Sequence, residues 1–253
     1  MSHSQRRLVT FRISHYCEKA RWALDWHGIG YEEVNWPPGV HLFLAKRRGA
    51  KRTCLPILLD GETVIQGSGA IIDWADRQEQ DPVRRLTLSN AREIERRADR
   101  VIGIHVRRLA YAELLPRFPE LVKPALFGKA SGLHRLVGNA MWPLSRRAMM
   151  RMHGITPKAA AESRSILESE LDWLDHTLAD NRRYLTGGRF SRADITVASL
   201  LGFFAQPQEM PTYHEMSIPG ALLADRERWR DRPVMRWVVA QYRTHRVSKP
   251  AAG

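Results

Sequence analysis

Polar and apolar positions change their period along the chain. In the first eighty residues, short β-rich runs alternate with helical spacing. "LVTFRI" (8–13) is rich in β-branched and aromatic residues and predicts a strand. "CEKARWALDWHG" follows with helical spacing and ends on Gly28, suited to a helix C-terminus. "YEEVNW" (31–36) predicts a second short strand. "LPILLDGETVIQ" (55–66) predicts two strands around Asp60-Gly61, a strong hairpin signal. "SGAIIDWADRQ" (68–78) is helical again, with Ser68 expected as its N-cap. The order is β-α-β, a connector, then β-β-α.

After "DP" at 81–82 the strand signals largely stop. Helical stretches are expected at 88–115, 120–138 with an interruption, 140–152, 157–180, 193–206 and 221–245. Prolines at 116, 119, 124, 143 and 157 read as their punctuation. The pattern therefore predicts two domains: a small mixed α/β domain over 6–80, a linker over 81–88, and an all-helical domain over 89–246.

Composition narrows the function classes. The hydrophobic share of 43% beside 26% charged residues is an ordinary globular balance. No apolar run approaches the roughly eighteen residues of a membrane span. The start "MSHSQRRLV" lacks the apolar core of an export signal. Two cysteines, Cys17 and Cys54, make no disulfide framework, and zinc-ligand spacing is absent, so a reducing cytoplasm is expected and no metal is required. The net charge is +13, and residues 82–164 hold 17 basic against 6 acidic side chains. Such a field suits nucleic acid, an anionic membrane face or an acidic small molecule. No aromatic-plus-basic module accompanies it, so solvated arginines weigh evenly against those readings, and neither nucleic acid nor a membrane surface is favoured as a partner.

The chemistry gathers where the first strand meets the first helix. A β-α-β unit followed by β-β-α, with Pro56 opening the third strand, matches a thioredoxin-like half. In that fold this loop carries Cys-x-x-Cys, whereas here it reads Ser14-His15-Tyr16-Cys17. With a hydroxyl in place of the first sulfur, a dithiol cycle cannot run on the loop alone. A hydroxyl beside a helix N-terminus can instead hold an incoming thiol as thiolate. Lowering a thiol pKa of about 8.5 by two units raises its ionised share tenfold or more at neutral pH.

Here the sequence resembles the cytosolic glutathione transferase family, over most of the chain. The resemblance rests on "SHYCEKARWAL", "LPILLDG", "SGAII" and, in the helical part, "YLTGGRFSRADITVASLL" (184–201), where Ser191 and Asp194 form a capping pair. It implies a thioredoxin-like N-terminal domain, an all-α C-terminal domain, glutathione as co-substrate, an electrophilic small molecule as partner and a two-fold homodimer. Ser14 matches the catalytic serine of the serine-type classes. Leu55-Pro56 matches the dipeptide whose proline is cis and whose leucine backbone pairs with glutathione. Ser68 matches the serine that receives the γ-glutamyl carboxylate. The family usually has an acidic or amide residue just before it, where this chain has Gly67, with Gln66 one place earlier. Either Gln66 reaches in or one contact to the glutathione amine is missing. Lys51 or Arg52 is implied for the glycyl carboxylate.

The helix at 98–115 is expected to face the thiol, through Val101, His105, Arg108 and Tyr111 or Ala112, with packing as the competing reading for its apolar members. Tyr16 is expected to pack at the domain contact, Cys17 to be a small core residue and His15 to shape the loop. The basic stretch 135–155 reads as a helical insertion, with a pocket lid or a membrane-surface helix as alternatives. Conjugation of glutathione to an apolar electrophile, a detoxification chemistry, is the leading expectation. The alternatives are a non-catalytic binding or regulatory protein with an anionic partner, and a glutathione-dependent disulfide reductase using Cys54.

Overall fold

The structure, a computed structural model, describes residues 6–246 apart from 129, 131 and 215, so the first five residues of the export-signal reading lie outside it. Strands β1 (Arg7–Thr10), β2 (Glu32–Asn35), β3 (Ile57–Asp60) and β4 (Thr63–Gln66) form one sheet in the order β2-β1-β3-β4. β1 is parallel to β2 (Val9 opposite Val34) and antiparallel to β3 (Val9 opposite Ile57). The β3–β4 hairpin turns at Gly61-Glu62, between the paired Asp60 and Thr63. Helices α1 (His15–Trp26), α2 (Val40–Arg47) and α3 (Ser68–Gln78) complete this half. The topology is thioredoxin-like.

The two-residue alternation of the strands divides this core. Leu8 and Leu58 point to one face, where Ala20 and Leu24 of α1 and Ile71 and Ala75 of α3 cover them. Val9, Ile57 and Leu59 point to the other, where Trp36 and Ala45 lie. That second face explains α2, which the sequence reading left as a connector. An uncovered apolar sheet face must find a partner, and Ala45 of α2 is fully buried there.

Residues 79–90 pass in turns and extended segments to nine helices among the described residues. These are α4 (Ala91–Arg100), α5 (Ile102–Arg117), α6 (Pro119–Phe127), α7 (Gly132–Met152), α8 (Pro157–Thr177), α9 (Arg192–Ala205), α10 (Pro211–His214), α11 (Gly220–Trp229) and α12 (Pro233–His245). The stretch expected as one helix over 88–115 is broken at Val101, with φ −111° and ψ −68°. Pro116, Pro124 and Pro143 do not punctuate; each lies inside a helix. All three are exposed, so the carbonyl that each leaves without a partner one turn earlier can be hydrated.

α9 is the central helix of this half, buried along nearly its whole length. Its start is fixed by the expected capping box: Asp194 accepts from the backbone N–H and hydroxyl of Ser191 at 2.8 and 2.7 Å, and from Leu185 N–H at 2.7 Å. Burial pushes the Asp194 carboxyl up to about 6. The halves are joined by apolar packing and by charge. Trp22 of α1 and Ile72 of α3 belong to the helical core. The fully buried Lys19 of α1 pairs with Glu95 and Asp99 of α4 at 2.7 and 2.8 Å. Arg192 of α9 pairs with the same Glu95 and with Asp73 of α3, both at 2.5 Å.

Candidate functional site

Ser14 is the N-cap of α1, with extended backbone, and its Oγ accepts from Cys17 N–H at 3.3 Å. Ser14 is half-buried, and because its hydroxyl oxygen serves as acceptor to the cap, the hydroxyl hydrogen is free to donate outward. Beside it stands the positive end of a twelve-residue helix. Glu18 in that first turn would repel an anion, but Arg246 pairs with it at 2.7 Å and Arg21 at 3.5 Å. Cys17 is fully buried and its thiol is pushed up by burial. Of these groups, the Ser14 hydroxyl and the helix N-terminus are the ones placed to stabilise negative charge.

The second component comes from sheet register. With Val9 opposite Ile57 in an antiparallel pair, the segment leaving β1 runs alongside the segment entering β3, which is Leu55-Pro56. That peptide bond is cis. Pro56 O accepts from Gly67 N–H at 2.9 Å, tying the turn to the start of α3. Among the described residues no group hydrogen-bonds the Leu55 backbone N–H or C=O, which leaves an extended edge that a peptide-like ligand can pair with.

The third component is the N-terminus of α3. Ser68 is buried, but it is the first helical residue and not the cap; Gly67 is the cap, with φ +89°. Glycine reaches that conformation without strain where other residues resist it. The N–H groups of Ser68, Gly69 and Ala70 have no partner within the helix, an arrangement suited to a carboxylate. Gln66 does not reach in. Its Oε1 accepts from Lys51 and Arg52 N–H at 2.7 and 3.2 Å, and its Nε2 donates to Arg52 O. A Cβ on Gly67 would meet nothing within 4 Å, so open space stands where the family has a side chain. Lys51 and Arg52 are exposed, and Gln66 clamps their backbone.

The wall from the helical half differs from the expected one. His105 turns toward α8, its Nδ1 3.0 Å from Ser163 Oγ, and Arg108 donates to His153 O at 3.0 Å. The residues against the loop are Gly103 and Arg107, one turn apart on α5; Tyr111, one turn further on, packs on His153 with ring centroids 5.5 Å apart. A Cβ on Gly103 would collide with Tyr16 Oη, which donates to Asp99 O at 2.7 Å, so Tyr16 does pack at the domain contact. The Arg107 guanidinium sits 5.8 Å from the Tyr16 ring centroid and, among the described residues, forms no ion pair. Burial and then the Arg107 charge hold His15 down to about 3, a neutral loop-shaping residue. Burial pushes the Tyr111 hydroxyl up. A 3.6-residue period leaves open which stripe faces inward, so the sequence does not separate Arg107 from the expected Arg108. α10 was also missed: its Tyr213 Oη donates to Ile13 O at 3.1 Å, and Thr212 Oγ1 accepts from Arg12 at 3.1 Å. A four-residue helix carries no periodic signal.

Cys54 is an exposed free thiol next to Leu55. No cluster of metal-ligating side chains occurs among the described residues, and no helix of theirs is long and apolar enough to cross a membrane.

Comparison with known proteins places these features in a wider set. The N-terminal domain of glutathione S-transferases matches residues 8–83, and the C-terminal domain of the same family matches 157–238. No curated protein matches the chain by sequence. Among solved structures, a glutathione S-transferase of Ceriporiopsis subvermispora in complex with glutathione is 17% identical over 98% of this chain and 100% of its own, with a TM-score of 0.68. Glutathione transferase GSTFuA3 of Phanerochaete chrysosporium is 16% identical over 98% and 100%, with a TM-score of 0.62. A glutathione-bound glutathione S-transferase of Methylobacillus flagellatus is 17% identical over 95% of each chain, at 0.60.

Proposed function

The chain belongs to the glutathione S-transferase family, and on that premise we propose that it binds glutathione along Leu55-Pro56 and transfers its sulfur, held as thiolate at Ser14, to an apolar electrophile. The observation that carries the reading is the Ser14 hydroxyl at the positive end of α1, in register with a cis Leu55-Pro56 edge. The ligand backbone pairs with Leu55, its γ-glutamyl carboxylate lies on the N–H groups of Ser68 and Gly69, and its thiol meets the Ser14 O–H. Lys51, exposed and held in place through its backbone, reaches the glycyl carboxylate. Arg107 and Tyr111 face the electrophile, with His105 and Arg108 behind them. Holding both reactants together and ionising one supplies most of the acceleration. A two-fold homodimer belongs to the same proposal.

The test is thioether formation from glutathione and a chloronitrobenzene-type acceptor. Product formed by the purified protein supports the reading; no product together with no glutathione affinity in calorimetry ends it.

Gln66 favours a second reading. Because its amide is committed to the 51–52 backbone and Gly67 has no side chain, the glutathione amine has one partner fewer here. A non-catalytic binding protein with a weakened site is the result if calorimetry finds only millimolar affinity and no turnover follows. A reductase acting through Cys54 would instead reduce mixed disulfides in the wild type and in Ser14→Ala but not in Cys54→Ala.

A further inference from the structure

Two stretches distant in sequence and adjacent in space hold nearly all of the excess charge. Residues 36–59 contain five basic and no acidic side chains; residues 121–161 contain seven basic and none acidic. Together they account for twelve of the net +13, and the rest of the chain is balanced at 28 basic to 27 acidic. The positive charge of 82–164 is thus one part of a charge excess that continues in 36–59. The stretches meet where α7 lies on the turn before α2. Ser145 Oγ donates to Pro38 O at 3.3 Å. A Cβ on Gly39 would come within 2.8 Å of Met141, and one on Gly138 within 2.7 Å of Pro37. No described residue of either stretch enters an ion pair, whereas basic residues elsewhere are widely paired, as Arg164 is with Asp225 and Arg232 with Asp175.

Each of the two helices is apolar where it faces water. α7 buries Gly138, Trp142 and Ser145 on one side. On the other, Leu133, Leu136 and Leu144 are 71%, 67% and 67% exposed, and helical spacing carries Arg147 and Arg151 along that same side. On α2, Phe43 is 65% exposed with Leu42 beside it, followed by the exposed Lys46 and Arg47. Bulky apolar side chains directed outward, ringed by cations and free of carboxylates, are the signature of a helix that rests in lipid headgroups.

We propose that α2 and α7 form a docking surface for an anionic lipid bilayer. Leu133, Leu136, Leu144 and Phe43 enter the headgroup layer, and the unpaired lysines and arginines around them meet lipid phosphates. A second copy of the chain is a poor occupant, because two such faces repel. Nucleic acid would satisfy the cations and leave the leucines hydrated. The two helices themselves, α2 and α7, carry none of Ser14, Lys51, Leu55, Pro56 or Ser68, so the inference stands apart from the proposed activity.

The experiment is sedimentation of the full chain with vesicles of phosphatidylcholine alone and of phosphatidylcholine with phosphatidylglycerol. Binding is expected to the anionic vesicles only and to weaken as salt is raised. The double variant Leu136→Glu/Leu144→Glu should lose binding roughly tenfold or more. Arg147→Gln/Arg151→Gln should lose about fivefold per arginine. Circular dichroism and glutathione affinity should stay at wild-type values in both. The proposal is overturned if the wild type stays in the supernatant with anionic vesicles at low salt, or if the leucine variant binds them as well as wild type. It is equally overturned if the leucines mediate self-association, or if the chain takes up DNA and ignores lipid.

Discussion

Replacing Ser14 by alanine removes one O–H donor and the N-cap acceptor for Cys17, and the two losses have different readouts. Without the donor, the bound thiol returns toward its free pKa of about 8.5, and a group that is mostly ionised at neutral pH becomes a few per cent ionised. The expected fall in kcat/KM at pH 7 is roughly 30-fold and shrinks at higher pH. Ultraviolet absorbance of the bound thiolate against pH measures it directly; an unchanged titration means that Ser14 is a cap and nothing more, at a stability cost of about 1 kcal/mol. Asp194 tests structure by the same logic. Two buried N–H groups, of Leu185 and Ser191, depend on its carboxylate, so Asp194→Ala should lower stability by about 2–5 kcal/mol in denaturant titration. At this scale the sequence was informative where local pattern decides. Ser14 and the Ser191–Asp194 box stand where residue type and neighbours placed them, and the Leu55-Pro56 bond is cis as the family resemblance implied. Ser68 was misplaced by one position, because serine is the usual cap and only the positive φ at residue 67 shows that glycine has taken the role.

Among elements, those with a strong period were legible and those set by tertiary demand were not. α3 occupies the predicted 68–78, and the hairpin turns after Asp60. α2 was hidden: it is eight residues long, preceded by the turn-like Pro37-Pro38-Gly39, and exists because Ala45 covers a sheet face. α7 passes through Pro143, which read locally as a break. Its seat on the sheet half depends on Gly39, which combines φ +89° with Met141 and Ser145 pressed against the space a Cβ would take. Gly39→Ala therefore strains the backbone at positive φ and forces the Met141 methyl and the Ser145 hydroxyl on α7 to give way, at an expected cost of about 2 kcal/mol. Gly61→Ala, also at positive φ but with nothing within 4 Å, carries the backbone strain alone. A larger fall in melting temperature for Gly39→Ala than for Gly61→Ala bears this out; equal falls mean that α7 yields.

For the molecule as a whole, histidines held down by burial dominate the response to acid between pH 7 and 5. Burial is the main cause that holds His15 down to about 3 and His41 and His153 down to about 4. In the unfolded chain each takes up a proton near pH 6.5. Between those values the unfolded state binds more protons, so the stability they contribute is full above about pH 6.5 and is lost as pH falls toward 4. His105 and His245 are lowered by burial too and act in the same sense, whereas Asp194, raised to about 6, and Asp99, raised by burial, act in the opposite sense above their unfolded values near 4, two groups against five. Melting temperature should therefore fall from pH 7 to pH 5; a flat or rising profile would mean that the histidines are protonated in the native state. The joint between the halves is a global property that no sequence window displays, since Lys19, Asp73, Glu95 and Arg192 come from four helices. It also decides how the chain can be divided. A protease nick between α3 and α4 cuts the backbone without touching that buried cluster, so the two pieces should still elute together as one particle. Either piece made alone must hydrate or strand charges that had partners, and should be soluble only when its complement is made in the same cell.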